Sequence, residues 1–229
     1  MAKPRNDIPI AFLAECFALD PATPSGLRWR TRPREHFPSG PQWCRWNTRF
    51  AGRPAETPAG KGYLRVHLTF GGRARHLRTH RVVVALTRGD WPSEQVDHIH
   101  GVEAGNGLAN LREATNGQNQ HNRGISPRNT SGFRGVCWHK QQRKWQAQIT
   151  IDNRIVYLGL FDTCEEASAA YLAAKAIVHP FQPVPRGMGA PALHAVDRMK
   201  AARHIVRAGR RLGDSALELT AWDAFADAM

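Results

Sequence analysis

The chain of 229 residues holds 41% apolar residues, enough for a buried core in one large domain or several small ones and too many for a disordered polypeptide. Its 32 Lys and Arg against 19 Asp and Glu leave a formal charge of +13, which calls for a polyanionic partner. The apolar stretch Ile8 to Leu13 is short, broken by Pro9 and followed by Glu15, so neither a membrane span nor a secretory signal is expected and a cytoplasmic protein is.

The first sixty residues (1–60) read as one helix over Ile10 to Leu19 followed by an aromatic, proline-rich module carrying Trp29, Phe37, Trp43, Trp46 and Phe50. Packing is the expected role of these rings. From Tyr63 to Phe70 the residues alternate, and Gly71-Gly72 supplies a two-residue turn into Arg73 to Arg78, which predicts a β-hairpin. Thr79 is the expected cap of a helix over His80 to Arg88, with Gly89 ending it.

A strand over Val96 to His100, a glycine-rich connection, a second strand over Leu108 to Glu113 and a helix from Thr115 to Asn122 make a compact ββα unit within 61–124. A linker, 125–130, follows. Three alternating strands, Arg134 to His139, Trp145 to Ile151 and Ile155 to Leu160, then lead into a helix over Glu165 to Val178, whose start carries the capping pair Thr163 and Glu166. This second α+β domain spans 131–180, a connector runs over 181–191, and two helices are expected within 192–229. The four cysteines never form C-x-x-C pairs, so they are taken as reduced and thiolate metal sites are not expected.

The chemistry gathers in Val96-Asp-His-Ile-His-Gly101, Asn110-Leu-Arg-Glu-Ala-Thr115 and Gln118-Asn-Gln-His-Asn122. A carboxylate and an amide oxygen are hard ligands suited to Mg²⁺ or Mn²⁺, and a neutral imidazole beside such an ion is a competent general base. Asp97 and His98 are neighbours on a strand and so point to opposite faces unless the strand end bends. These three segments together resemble the HNH, or ββα-metal, nucleases. The resemblance implies that Asp97 and Asn119 hold one divalent metal ion, Mg²⁺ or Mn²⁺, that His98 is the general base, and that Asn110 ties down the loop that aims it. His100, Asn122, Arg112 and Arg123 stand as supporting candidates, whereas His80 is read as a packing or capping residue and His121 as facing away from Asn119.

Ser131-Gly-Phe-Arg-Gly-Val136, Leu158-Gly-Leu-Phe-Asp-Thr163 and Glu165-Glu-Ala, with Trp138 and Trp145 between them, resemble the plant APETALA-two (ethylene-response-factor) DNA-binding domain. That likeness implies a three-stranded antiparallel sheet set in the major groove with a helix on its back. Arg134, Trp138, Lys140, Arg143 and Trp145 are the expected DNA-facing residues, opposite a face burying Val136, Ile149 and Leu158. Cys137 departs from the plant pattern, so the plant target sequence does not transfer.

The expected fold is α+β: a ββα-metal core, a three-stranded sheet plus helix, and a C-terminal helical segment. The expected activity is that of a metal-dependent homing-type endonuclease, encoded by a phage or mobile element, cutting double-stranded DNA at a preferred site. Rivals are a DNA-binding regulator that has lost cleavage and a low-specificity nuclease. Monomer and homodimer, nick and double-strand break, all stay open.

Overall fold

In a computed structural model the chain has a mixed α+β fold. Residues 7–122, 124–182 and 195–227 are described. The chain forms two compact units, Met1–Asn116 and Gly117–Met229. The connector expected over 181–191 lies almost wholly outside the described residues.

The first unit opens with helix α1, Ile10–Cys16, and strand β1, Phe17–Leu19, which pairs antiparallel with β2, Leu27–Trp29. The single helix expected to Leu19 therefore stops three residues earlier. Phe17 leaves the helix because pairing brings it opposite Trp29, their rings 4.5 Å apart, and both are buried. Within the aromatic module lies a helix that was not expected, α2, Gly40–Phe50. Ser39 caps it by accepting from the Gln42 backbone N–H, and Pro41 sits in its first turn. The pattern Ser-x-x-Gln with an early proline was the overlooked signal.

Strands β3, Thr57–Pro58, β4, Leu64–Phe70, and β5, Arg73–Arg78, form a sheet in that order, with the expected Gly71-Gly72 turn at positive φ in both residues. Helix α3, Thr79–Arg88, is closed by Gly89 in the left-handed conformation. Thr79 does not cap it, which corrects the expectation: Arg78 is the N-cap, and the Thr79 hydroxyl donates to Leu64 O at 3.2 Å. Strand β6, Gln95–His98, pairs antiparallel with β7, Leu111–Ala114. Phe17, Leu27, Val66, Val82, Val84, Val96 and Leu111 pack in one core. Each large apolar side chain so buried stabilises by roughly 1.5–3 kcal/mol.

The second unit begins within α4, Asn116–His121, and continues with β8, Val136–His139, β9, Lys144–Ile151, and β10, Arg154–Phe161, in sheet order β10-β9-β8. Helix α5, Cys164–Val178, starts at Thr163 with both hydrogen bonds of the expected capping box in place. It covers the sheet through Ala167, Tyr171 and Ala174 against Val136, Ala147 and Ile149. Helices α6, Ala195–Leu212, and α7, Ser215–Ala226, complete it. Among the described residues no helix is long and apolar enough to cross a membrane.

Candidate functional site

Antiparallel pairing sets Asp97 opposite Arg112 and His98 opposite Leu111. Asp97, 6% exposed, takes the Arg112 guanidinium on one carboxylate oxygen, Oδ2, with Nε at 3.2 Å and Nη2 at 3.1 Å. His98, 3% exposed, ends β6 on the face shared with Val96, so the two adjacent side chains start in opposite directions as their strand dictates. The supporting candidate Arg112 thus meets Asp97.

The imidazole of His98 meets a residue that sequence reasoning missed. Its Nε2 lies 2.8 Å from Asn106 Oδ1, and Asn106 Nδ2 donates to the Ser25 carbonyl at 3.1 Å and to Thr79 Oγ1 at 2.8 Å. A carbonyl oxygen only accepts, so the Ser25 contact fixes which end of the amide is nitrogen. The oxygen is therefore the end that faces His98, and Nε2 must be the protonated nitrogen. In the neutral ring Nδ1 then carries the lone pair, which is the requirement for a base. Asn106 is the first asparagine of a pair spaced four apart, Asn106 and Asn110, and that doubling was the available signal.

Asn110 organises the turn after β6. Its Oδ1 accepts from the His100 backbone N–H at 2.8 Å, and its Nδ2 donates to Gly101 O at 3.0 Å and Gly105 O at 2.8 Å. The side chain of His100 itself is exposed. Tyr63 and His80 flank the His98 ring at centroid distances of 5.8 and 5.0 Å. Burial above all, and the nearby His98, Arg78 and Arg81, push the His80 pKa down to about 3. His80 is consequently neutral at physiological pH and adds no charge beside His98, and its buried Nδ1 makes no hydrogen bond.

In the second unit Asn119 sits half-buried on α4 and Asn122 is buried just after it. Arg123 lies outside the described residues. Two cations serve the end of α4: Arg134 donates through Nη2 to Gln120 O at 2.8 Å and through Nη1 to His121 O at 3.3 Å, and the buried Lys175 donates to His121 O at 3.2 Å. Positive charge at the last carbonyls of a helix is favourable. Arg134, expected to face DNA, is engaged here. His121 stacks on His179 with centroids 3.6 Å apart, and burial lowers both their pKa values, that of His179 to about 4.

Strand register corrects the expected division of the second sheet's faces. Trp138 pairs with Trp145, and Val136 with Ala147, so the tryptophans lie on the same face as the buried Val136 and Ile149 rather than opposite it. Their rings meet edge to face at 5.1 Å. The opposite face carries Cys137, His139, Lys144, Gln146, Gln148 and Thr150, of which Gln146 and Gln148 are joined by a 3.0 Å hydrogen bond. Period two from Val136 and Ile149 was the signal for these residues. Lys140 and Arg143 are exposed in the β8–β9 turn, Arg143 at φ 52°.

Among the described residues no three His, Cys, Asp or Glu side chains form a metal-binding group. The Asp97 carboxylate of the first unit and the Asn119 amide oxygen of the second are each hard donors, of the type that suits Mg²⁺ or Mn²⁺ rather than a softer ion such as zinc in a closed site.

Residues 77–121 match the HNH endonuclease family model, so the chain carries an HNH endonuclease domain. Protein 3.8 of Escherichia phage T7 is 34% identical over 59 residues, 26% of this chain and 49% of that protein. The ethylene-responsive transcription factor WRI1 of Arabidopsis thaliana is 39% identical over 66 residues, 28% of this chain and 14% of its own length. The AP2-like ethylene-responsive transcription factor AIL6 of the same plant is 36% identical over 81 residues, 34% of this chain and 13% of its own. The chain thus spans about half of the phage relative and a small part of the plant ones. No solved structure matches it.

Proposed function

We propose that the protein is a metal-dependent DNA endonuclease of homing type that hydrolyses phosphodiester bonds of double-stranded DNA at a preferred site. The observation that carries this reading is the buried His98, held by Asn106 with its lone pair on Nδ1, next to Asp97 and inside the segment similar to HNH endonucleases.

His98 takes a proton from water at Nδ1 as the water oxygen attacks phosphorus, and the bond from phosphorus to the 3′ oxygen breaks, that oxygen taking a proton from solvent, which gives 5′-phosphate and 3′-hydroxyl ends. Asp97 and Asn119 are the residues to hold a divalent cation, which when bound supplies Lewis-acid stabilisation of the charge that grows on the phosphate. Arg112 positions the Asp97 carboxylate, and Asn110 holds the turn through His100 to Gly105 so that the end of β6 keeps its direction.

Target preference belongs to the second sheet. Similarity to the plant transcription factors supports a DNA-binding role, and its polar face offers Gln146 and Gln148, a residue type that reads adenine by paired hydrogen bonds. In this reading Lys140 and Arg143, exposed in the adjoining turn, meet phosphates, and Trp138 and Trp145 support that edge of the sheet.

The test is cleavage of a random-sequence DNA library in Mg²⁺, with sequencing of the ends. The wild type yields recurrent cut sites, and His98→Ala abolishes cutting while gel-shift binding persists. Undiminished cutting by His98→Ala sinks the assignment, and cuts scattered over unrelated sequences sink the homing reading.

A further inference from the structure

The first unit contains an open groove of about 610 Å³ between α2 and the β4–β5 hairpin, distinct from the His98 centre. Four arginines line it, Arg32, Arg45, Arg49 and Arg75, and no carboxylate does. Arg75 is paired with Asp7 at 2.7 Å, but Arg32, Arg45 and Arg49 have no carboxylate partner among the described residues.

Arg32 is the unusual one. It is 4% exposed, its guanidinium carbon lies 4.8 Å from the ring centroids of both Phe37 and Trp46, and its buried Nη2 makes no hydrogen bond. Its Nε donates to His36 Nδ1 at 3.3 Å, and the far side of that ring, Nε2, lies 2.7 Å from Glu15 Oε2, so the carboxylate reaches Arg32 only through the imidazole. Desolvation pushes its pKa down. A buried cation without an acid in direct contact is costly, and stacking on two rings offsets that cost only in part. An anion entering the groove supplies the missing charge. Arg45 and Arg49, one turn apart on α2 and exposed, extend the same positive wall along the groove, with Trp46 between them in sequence. Cations interleaved with aromatic rings along a groove are the arrangement that tracks a nucleic-acid backbone.

We propose that this groove is a second DNA-anchoring site, in which Arg45 and Arg49 grip phosphates of one strand of the substrate and the Arg32 charge beneath them draws that strand in. The inference rests on the DNA-acting reading above and assigns the N-terminal module a substrate-holding role separate from the chemistry.

The experiment uses the full-length protein in EDTA, a fluorescein-labelled 30-base-pair duplex, and anisotropy titrations across a series of NaCl concentrations. Removing two phosphate contacts in Arg45→Gln/Arg49→Gln lowers the magnitude of the slope of log K against log salt by about two and weakens binding most at low salt. Both positions are exposed, so the variant keeps its fold, which its thermal melt verifies. An unchanged slope and affinity overturn the proposal. So does binding of millimolar dAMP or inorganic phosphate to the wild type, lost in the variant, while both proteins hold the duplex with equal affinity, which makes the groove a site for a free anion. In a parallel incubation with Mg²⁺, duplex that the wild type binds but never cuts counts against the nuclease, while the slope difference measured in EDTA still decides for the groove. Cutting together with an unchanged salt slope counts against the groove alone.

Discussion

Replacing Asn106 with alanine removes three buried hydrogen bonds at once, those to His98 Nε2, Ser25 O and Thr79 Oγ1. Thr79 keeps its own donation to Leu64 O, so its loss is minor. The His98 N–H and the Ser25 carbonyl are left without their partner, at roughly 1–3 kcal/mol each. Water entering the vacated volume recovers part of that, so the expected destabilisation is about 3 kcal/mol, which at an m-value of about 2 kcal/mol/M shifts the urea midpoint by about 1.5 M. The catalytic effect is separate. Without Asn106 nothing in that amide selects the tautomer or holds the ring plane, and since a positioned base contributes roughly 10²–10⁴-fold, a loss of about 10²-fold in the single-turnover rate is expected. The assay is cleavage of a labelled duplex in Mg²⁺ at a temperature where circular dichroism shows the variant folded. A folded Asn106→Ala protein cutting within about threefold of the wild-type rate refutes the reasoning, because the Nε2 bond would then be irrelevant to the base.

Stability should also depend on pH and on one glycine. The folded pKa of His80, about 3, lies below its ordinary value of 6.5, so between these values the unfolded chain binds the extra proton and stability falls as pH drops through that window. From pH 7 to pH 5 this costs about 2 kcal/mol, and urea melts of His80→Asn should lose that much of the pH dependence; identical pH dependence in the two proteins removes His80 as the cause. Gly135 has φ +70°, and a Cβ there would stand 2.1 Å from Tyr171 Cδ2 and 2.7 Å from Gln148 O. Gly135→Ala should therefore destabilise the second unit by more than about 3 kcal/mol, against about 1 kcal/mol for Gly52→Ala, where φ is +76° but nothing lies within 4 Å. Thermal denaturation separates them, and equal shifts would contradict the argument from close approach.

Local signals carried far in this chain. The Gly71-Gly72 turn, Gly89 at the end of α3 and the Thr163–Glu166 capping box each act within a few residues, and each was legible as such. Helix α2 was legible too, through Ser39, Pro41 and Gln42, but its proline-rich surroundings argued for irregular structure. The end of α1 was not, since Phe17 becomes a strand residue only by pairing with Trp29.

The sequence by itself determined the residue types on which the proposed chemistry rests and the excess of positive charge: Asp97 beside His98, Asn110 after a glycine-rich turn, and arginines without nearby acids. Tertiary structure decided how those groups are held. Ser25 lies 81 residues from Asn106, yet its carbonyl orients the amide that sets the His98 tautomer. Register, not composition, placed Trp138 and Trp145 on the helix side of the sheet, and Arg134 is spent on the carbonyls of α4. Hydrogen bonds and pairings between distant segments leave no periodic trace in the chain, so they become readable only once the backbone has brought their partners together.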